Sequence, residues 1–195
     1  MISCVILSAG LSIRFGAPKA TASINNSTVI EHIQHTLLST EVGEIIIVLG
    51  AHKNEIEPYV LNHKKVKAVY NKDYKFGQTS SFQVGLKNIS HDSKGVFLLP
   101  IDYPLIKATT IDNLIHYFNH RHSLILIPTH QSQPGHPPLF NISLKESLLS
   151  FNTNSGINTF IHEHKNNVEY LELDDPAIRQ TFNTPQEFDR LKENI

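Results

Sequence analysis

Apolar residues fall in short unbroken runs with amphipathic stretches between them. Ser3–Leu7, Ile45–Leu49 and Gly95–Leu99 lack polar alternation, as strands covered on both faces do. Val29, Ile30, Ile33, Leu37 and Leu38 recur at helical spacing behind Ser27 or Thr28, either of which can cap a helix. Phe82, Gly85, Leu86 and Ile89 repeat the pattern behind Thr79 or Ser80, and Ile111, Leu114, Ile115 and Phe118 behind Thr109 or Thr110. A short helix over about 54–61 and strands over 67–70 and 124–127 complete the first two thirds. This alternation predicts an α/β fold: a mostly parallel sheet with helices on both faces.

The remainder is less regular. Residues 128–138 are rich in proline and polar residues and read as a long excursion outside the core. Pro137-Pro138-Leu139-Phe140 returns the chain to the sheet as an antiparallel edge. Short helices are expected over 144–151 and 157–164, and a strand over 168–173. Thr184-Pro185-Gln186-Glu187 reads as a helix start, with Thr as cap and Glu completing a capping box. No repeat or domain boundary interrupts the pattern, so one domain over 1–195 is expected.

Composition narrows the partners. A net charge of −1 offers no basic excess for nucleic acid or an anionic membrane. The longest apolar run, Ile45 to Leu49, is far too short to span a bilayer, and no basic n-region opens the chain. Cys4 is the sole cysteine, which rules out an internal disulfide and suits a reducing, cytoplasmic setting. Twelve histidines include His116 and His120, four apart, but no third ligand accompanies them and no zinc site is expected.

The first apolar run ends in Ser8-Ala9-Gly10-Leu11-Ser12-Ile13-Arg14-Phe15-Gly16-Ala17-Pro18-Lys19. Gly10 and Gly16 allow backbone N–H groups to turn toward an anion, and Arg14 and Lys19 add charge. The spacing is neither a P-loop nor a dinucleotide fingerprint. On spacing alone, a phosphate cradle and a glycine turn with two solvated cations are both open. Asp102, held between Pro100 and Pro104 after a buried strand, reads equally as a metal ligand or as a turn former.

The motif Leu7-Ser8-Ala9-Gly10-x-Ser12-x-Arg14-x-Gly16-x-x-Lys19 resembles the signature loop of the MobA-like nucleotidyltransferases, which include the molybdenum cofactor cytidylyl- and guanylyltransferases. Ser8 stands where that family usually has alanine. Three further segments are similar to family segments in order. They are Asn71 through Gly77 to Ser80 and Ser81; Asp102-Tyr103-Pro104-Leu105, where Ile101 replaces the more usual glycine; and Gly135-His136-Pro137-Pro138-Leu139-Phe140. Asn183-Thr184-Pro185 resembles the C-terminal segment. The Gly-Asp-x-Gly stretch usual in cofactor cytidylyltransferases is replaced by Asn152-Thr153-Asn154-Ser155-Gly156, which leaves the acceptor open.

The resemblance implies a three-layer Rossmann-like nucleotidyltransferase fold. It implies transfer of a nucleoside monophosphate, most simply CMP from CTP, to a phosphate-bearing acceptor such as the molybdopterin cofactor. Arg14, Lys19 and Asp102 would be catalytic. Leu7, Ser8, Ala9, Gly10, Ser12, Gly16, Asn71, Gly77, Ser80 and Ser81 would bind the nucleotide. Gly135, His136 and Pro137 would face the acceptor, and Asp102 with Asn183 would hold Mg2+. Alanine at Ala9 resembles the cytidylyl-type members; its methyl would take room a purine could use. A sugar-phosphate acceptor and a silent nucleotide-binding regulator remain the alternatives.

Overall fold

The computed structural model describes residues 1–193. The strands, in chain order, are β1 (Ile2–Ser8), β2 (Ser23–Ile24), β3 (Ser27–Thr28), β4 (Val42–Leu49), β5 (Val66–Tyr70), β6 (Gly95–Pro100), β7 (Ile125–His130), β8 (Gln133–Pro134), β9 (Leu139–Asn141) and β10 (Val168–Glu172). The helices are α1 (Val29–Leu38), α2 (Lys53–Ile56), α3 (Gly77–Asn88), α4 (Ala108–Arg121), α5 (Lys145–Ser150), α6 (Ile157–Glu163) and α7 (Pro185–Lys192).

The main sheet runs β10-β7-β9-β6-β1-β4-β5, with β8 paired to β7. β1 lies in its interior, parallel to both β4 and β6, and all seven of its residues are buried. Its side chains alternate between two cores, as the two-residue period of a strand requires. Cys4 and Ile6 pack with residues of α1, α4 and α7 on one face. Val5 and Leu7 pack with residues of α3, α5 and α6 on the other. The expected three layers are therefore present.

One placement differs from expectation. β9 is antiparallel, but it is inserted between β6 and β7 rather than at an edge. Leu139 and Phe140 are both fully buried, one in each core, and only an interior strand can bury neighbouring side chains in that way. The stretch before it is not a long excursion either. β7 continues through Pro128 to His130, and Gln131 and Ser132, at φ of 51° and 60°, turn it back into β8. Asn25 and Asn26, also at positive φ, make a small β2–β3 hairpin that apolar periodicity could not reveal.

Two helix starts also move. α3 begins at Gly77, so Thr79 and Ser80 are buried in its first turn rather than capping it. α4 begins at Ala108 after Lys107, and Thr110 donates to the buried Asp175 carboxylate instead (2.7 Å). Thr28 with Glu31 forms the capping box of α1, and Thr184 caps α7.

Candidate functional site

The loop leaving β1 is shaped by its own backbone. Ser12, at φ 52°, accepts N–H bonds from Phe15 and Gly16 at its carbonyl. Its hydroxyl accepts the Lys19 N–H (3.3 Å), which ties the end of the loop to its middle. Gly16 sits at φ 78°, where a side chain would be strained. Phe15 anchors the loop against Phe182 and Phe188, with ring centroids 5.4 and 5.8 Å away. That cluster brings Asn183, the neighbour of buried Phe182, to the loop.

Lys19 Nζ lies 3.0 Å from Asp102 Oδ2 and 3.0 Å from Asn183 Oδ1. Arg14 Nη2 donates to the same Asn183 oxygen (3.0 Å). Four side chains from three distant segments thus share one set of contacts. They border a cleft of about 470 Å3 that is also lined by Leu7, Gly10, Leu11, Ser12, Ile13, Gln78, Pro100 and Ile101. The cleft opens at the carboxyl ends of β1 and β6, where ligands bind in open parallel sheets.

Other expected site residues lie elsewhere. Ser8 and Ala9 are buried, and the carbonyl of Ala9 accepts the Ala51 N–H (3.1 Å). The Ala9 methyl faces Gly50, not the cleft: a Cβ built on Gly50 would stand 2.7 Å from it. The expectation that this methyl occupies purine space is therefore corrected. Asn71, Ser80 and Ser81 are also buried. Asn71 Nδ2 donates to both hydroxyls (2.8 and 3.0 Å), and those hydroxyls donate to the Asp73 and Gly77 carbonyls. This knot fixes the start of α3, leaving Gly77 and Gln78 exposed. Leu11, Ile13, Gln78 and Ile101 were missed because isolated polar or apolar loop residues carry no periodic signal.

Gly135, His136 and Pro138 line a second cavity of about 550 Å3 on the other side of the Pro100–Pro104 turn. Pro137, joined to His136 by a cis bond, is buried. Gly135 is required there, since a Cβ would meet the Ile178 carbonyl oxygen at 2.5 Å. The His136 ring lies against Tyr103, centroids 4.4 Å apart, and its buried Nδ1 has no hydrogen-bond partner. Burial holds the His136 pKa below the usual imidazole value, opposed by the Asp102 charge.

Among the described residues no cluster of three His, Cys, Asp or Glu side chains exists to hold a metal. Asp102 and Asn183 nevertheless fit a hard divalent ion: both are oxygen donors, and both already face one cation, the Lys19 ammonium. No helix among the described residues is long and apolar enough to cross a membrane.

A parallel α/β sheet whose strand ends carry a glycine loop, two cations and oxygen donors for a metal defines the nucleotide-binding transferase class. Residues 4–168 match the MobA-like NTP transferase domain, and the chain belongs to that family. It is a nucleotidyltransferase of the MobA and cytidylyltransferase type. It is similar to the nicotine blue oxidoreductase of Paenarthrobacter nicotinovorans, 25% identical over 97% of this chain and 96% of the relative. The molybdenum cofactor cytidylyltransferase of Escherichia coli (strain K12) is 28% identical over 71% of this chain and 69% of its own. A probable molybdenum cofactor guanylyltransferase of Geobacillus sp. (strain WCH70) is 28% identical over 95% of both chains. In fold, the chain is similar to Rv0371C of Mycobacterium tuberculosis H37Rv, solved in complex with manganese. The TM-score is 0.82, at 20% identity, covering 100% of this chain and 99% of that one.

Proposed function

We propose that this chain transfers a nucleoside monophosphate, from CTP in preference, to a phosphate-bearing acceptor such as the molybdopterin cofactor, with Mg2+ bound and pyrophosphate released. The observation that carries the reading is the shared contact of Arg14, Lys19, Asp102 and Asn183 at the mouth of the glycine loop. Two cations beside two oxygen donors match a polyphosphate with its metal better than a solvated surface.

The backbone from Gly10 to Gly16 cradles the triphosphate, with Leu7, Ser8, Ala9 and Ser12 setting its shape. Arg14 and Lys19 neutralise the phosphates, Lys19 exchanging its present partners for phosphate oxygens. Asp102 and Asn183 would then be free to hold Mg2+, which would supply positive charge to the phosphates. Asn71, Ser80 and Ser81 act indirectly, by fixing Gly77 and Gln78 at the cleft. Gly135, His136 and Pro137 shape the acceptor side. An acceptor phosphate oxygen attacks the α-phosphorus, the bond to the bridging oxygen breaks, and pyrophosphate leaves with the electron pair. That oxygen is already anionic, so positioning and charge neutralisation suffice without a general base.

The test is pyrophosphate release from each of the four ribonucleoside triphosphates with Mg2+, against molybdopterin and a set of sugar phosphates. Release with CTP and molybdopterin supports the reading. Release only with a sugar phosphate reassigns the acceptor. Nucleotide binding with no release under any pairing overturns the proposal in favour of a regulatory module.

A further inference from the structure

The second cavity has a consistent chemistry. No Asp or Glu lines it, whereas Lys165 and Arg179 both do. Neither of those side chains makes an ion pair or a hydrogen bond among the described residues. On the strand beside them Val168 and Tyr170 face the cavity and Glu169 is engaged by Tyr117 and Arg121; Glu172 shares the Val168 face but lies beyond the cavity lining, its carboxylate held by Thr129, Gln131 and Ser132. The remaining walls are mixed: Tyr103, Ile161 and Ile178 are apolar surfaces, while His136, Asn158 and His162 are polar.

The two clefts divide the charges. Arg14, Lys19 and Asp102 line the first and not the second; Lys165 and Arg179 line the second and not the first. Tyr103, which lines the second, follows directly in the chain on Asp102, which lines the first. A group that reacts beside Asp102 is therefore not the group that meets Lys165 and Arg179.

We propose that Lys165 and Arg179 form a second anion subsite, which binds a charged group of the acceptor other than the attacking phosphate and so selects the acceptor. The inference rests on the transferase reading above. An anion there would gain charge-assisted hydrogen bonds from two cations, with no carboxylate in the cavity lining itself. The occupant is an acceptor that carries an anionic group away from the phosphate that attacks.

The test needs no knowledge of the acceptor. Pyridoxal 5′-phosphate carries an anion and an aldehyde that condenses with a lysine amine, losing water, and borohydride fixes the imine. Pyridoxal is the control without the phosphate. Labelling is mapped by mass spectrometry on the whole protein, with and without saturating CTP and Mg2+. With CTP present, the phosphate should speed labelling of Lys165 about tenfold relative to exposed Lys87, the equivalent of about 1.4 kcal/mol. Arg179→Gln should remove most of that preference. Equal phosphate dependence at Lys165 and Lys87 overturns the subsite, and so does a preference that survives Arg179→Gln. If CTP abolishes Lys165 labelling, the cations belong to the triphosphate and the subsite is again overturned. Failure of CTP to shield Lys19 counts instead against the transferase reading, so the two failures are separable.

Discussion

The Lys19 ammonium sits 3.0 Å from the Asp102 carboxylate, with the two side chains only 11% and 20% exposed. An ion pair sheltered to that degree is screened less than a surface pair, and each partner is held where a phosphate or a metal would find it. The Asn183 oxygen completes the arrangement from the C-terminal side. The free protein therefore keeps its metal-type oxygens neutralised by one of its own cations.

Removing that cation should separate chemistry from folding. Lys19→Ala should lower kcat about 100- to 1000-fold, as the loss of a charge-stabilising donor does. Stability should fall by about 1–3 kcal/mol, because the sheltered Asp102 carboxylate loses its ion partner. The same variant should bind Mn2+ more tightly than wild type when no nucleotide is present, since Asp102 and Asn183 lose their competitor. Kinetics, urea unfolding and Mn2+ paramagnetic resonance check the three points; near wild-type turnover would make Lys19 a surface charge only.

Asp102→Ala should abolish turnover while leaving the thermal midpoint close to that of wild type. In wild type, Mg2+ should raise the midpoint mainly when CTP is present, because a magnesium ion is usually held by few carboxylates plus substrate phosphates. Thermal scans with each ligand alone and together decide it. Full activity in excess chelator would sink the metal assignment.

Gly85→Ala should destabilise by about 2 kcal/mol through overpacking. A Cβ there would stand 2.3 Å from Val5 Cγ1, at the closest approach of α3 to β1. Because α3 carries Gln78 to the cleft, CTP affinity should fall with stability. Urea unfolding and CTP titration test this, and unchanged stability would mean the helix can slide without loss.

The parallel sheet and its helices were legible because burial on both faces writes an unbroken apolar run, and one-sided burial writes a helical stripe. Val5, Ile46, Phe82 and Phe118 each fall where those patterns put them. The interior position of β9 was not legible: three residues are too few to show a period, and the surrounding prolines suggest a loop. Motif residues located the loop, Asp102 and Asn183, but not which side chains face the cleft. Ser80 and Ser81 carry the same hydroxyls whether they meet a ligand or Asn71, and only the fold decides between them. Lys165 and Arg179 belong to no motif, and their meaning comes from the missing carboxylates around them.

His136 gives a pH dependence with a definite sign. Burial lowers its folded pKa below the ordinary imidazole value of 6.5, with Asp102 partly opposing. As pH falls through that value, the unfolded chain takes up a proton that the folded chain resists, so stability falls until the folded pKa is passed. His32 adds a change of the same sign through burial and then through His35, while His52, raised by its bond to Glu55, opposes both. His136→Gln should flatten the decline in thermal midpoint below pH 6.5 without removing it. A variant that declines as steeply as wild type would show that His136 gains its proton freely when folded.

Base selection is the prediction most changed by the structure. Ala9 is 4% exposed and packs against Gly50, so its methyl cannot bar a purine by bulk. What it does is hold the strand end rigid immediately before Gly10, whose backbone lines the cleft. Ala9→Gly would place two glycines in succession there and loosen the loop, at a cost of about 1 kcal/mol in stability from backbone entropy. If the cradle's exact path sets the space for the base, loosening it should relax the preference for CTP over GTP. The shift should be worth about 1 kcal/mol, since discrimination by one methyl group seldom exceeds 1–3 kcal/mol. The measurement is kcat/KM for both triphosphates in both proteins with one acceptor, beside their unfolding midpoints. A wild type that prefers GTP removes the CTP assignment. A variant that loses stability while keeping the wild-type ratio makes Ala9 a packing residue, and base choice then falls to side chains that border the cleft directly, Leu11 and Gln78 first among them.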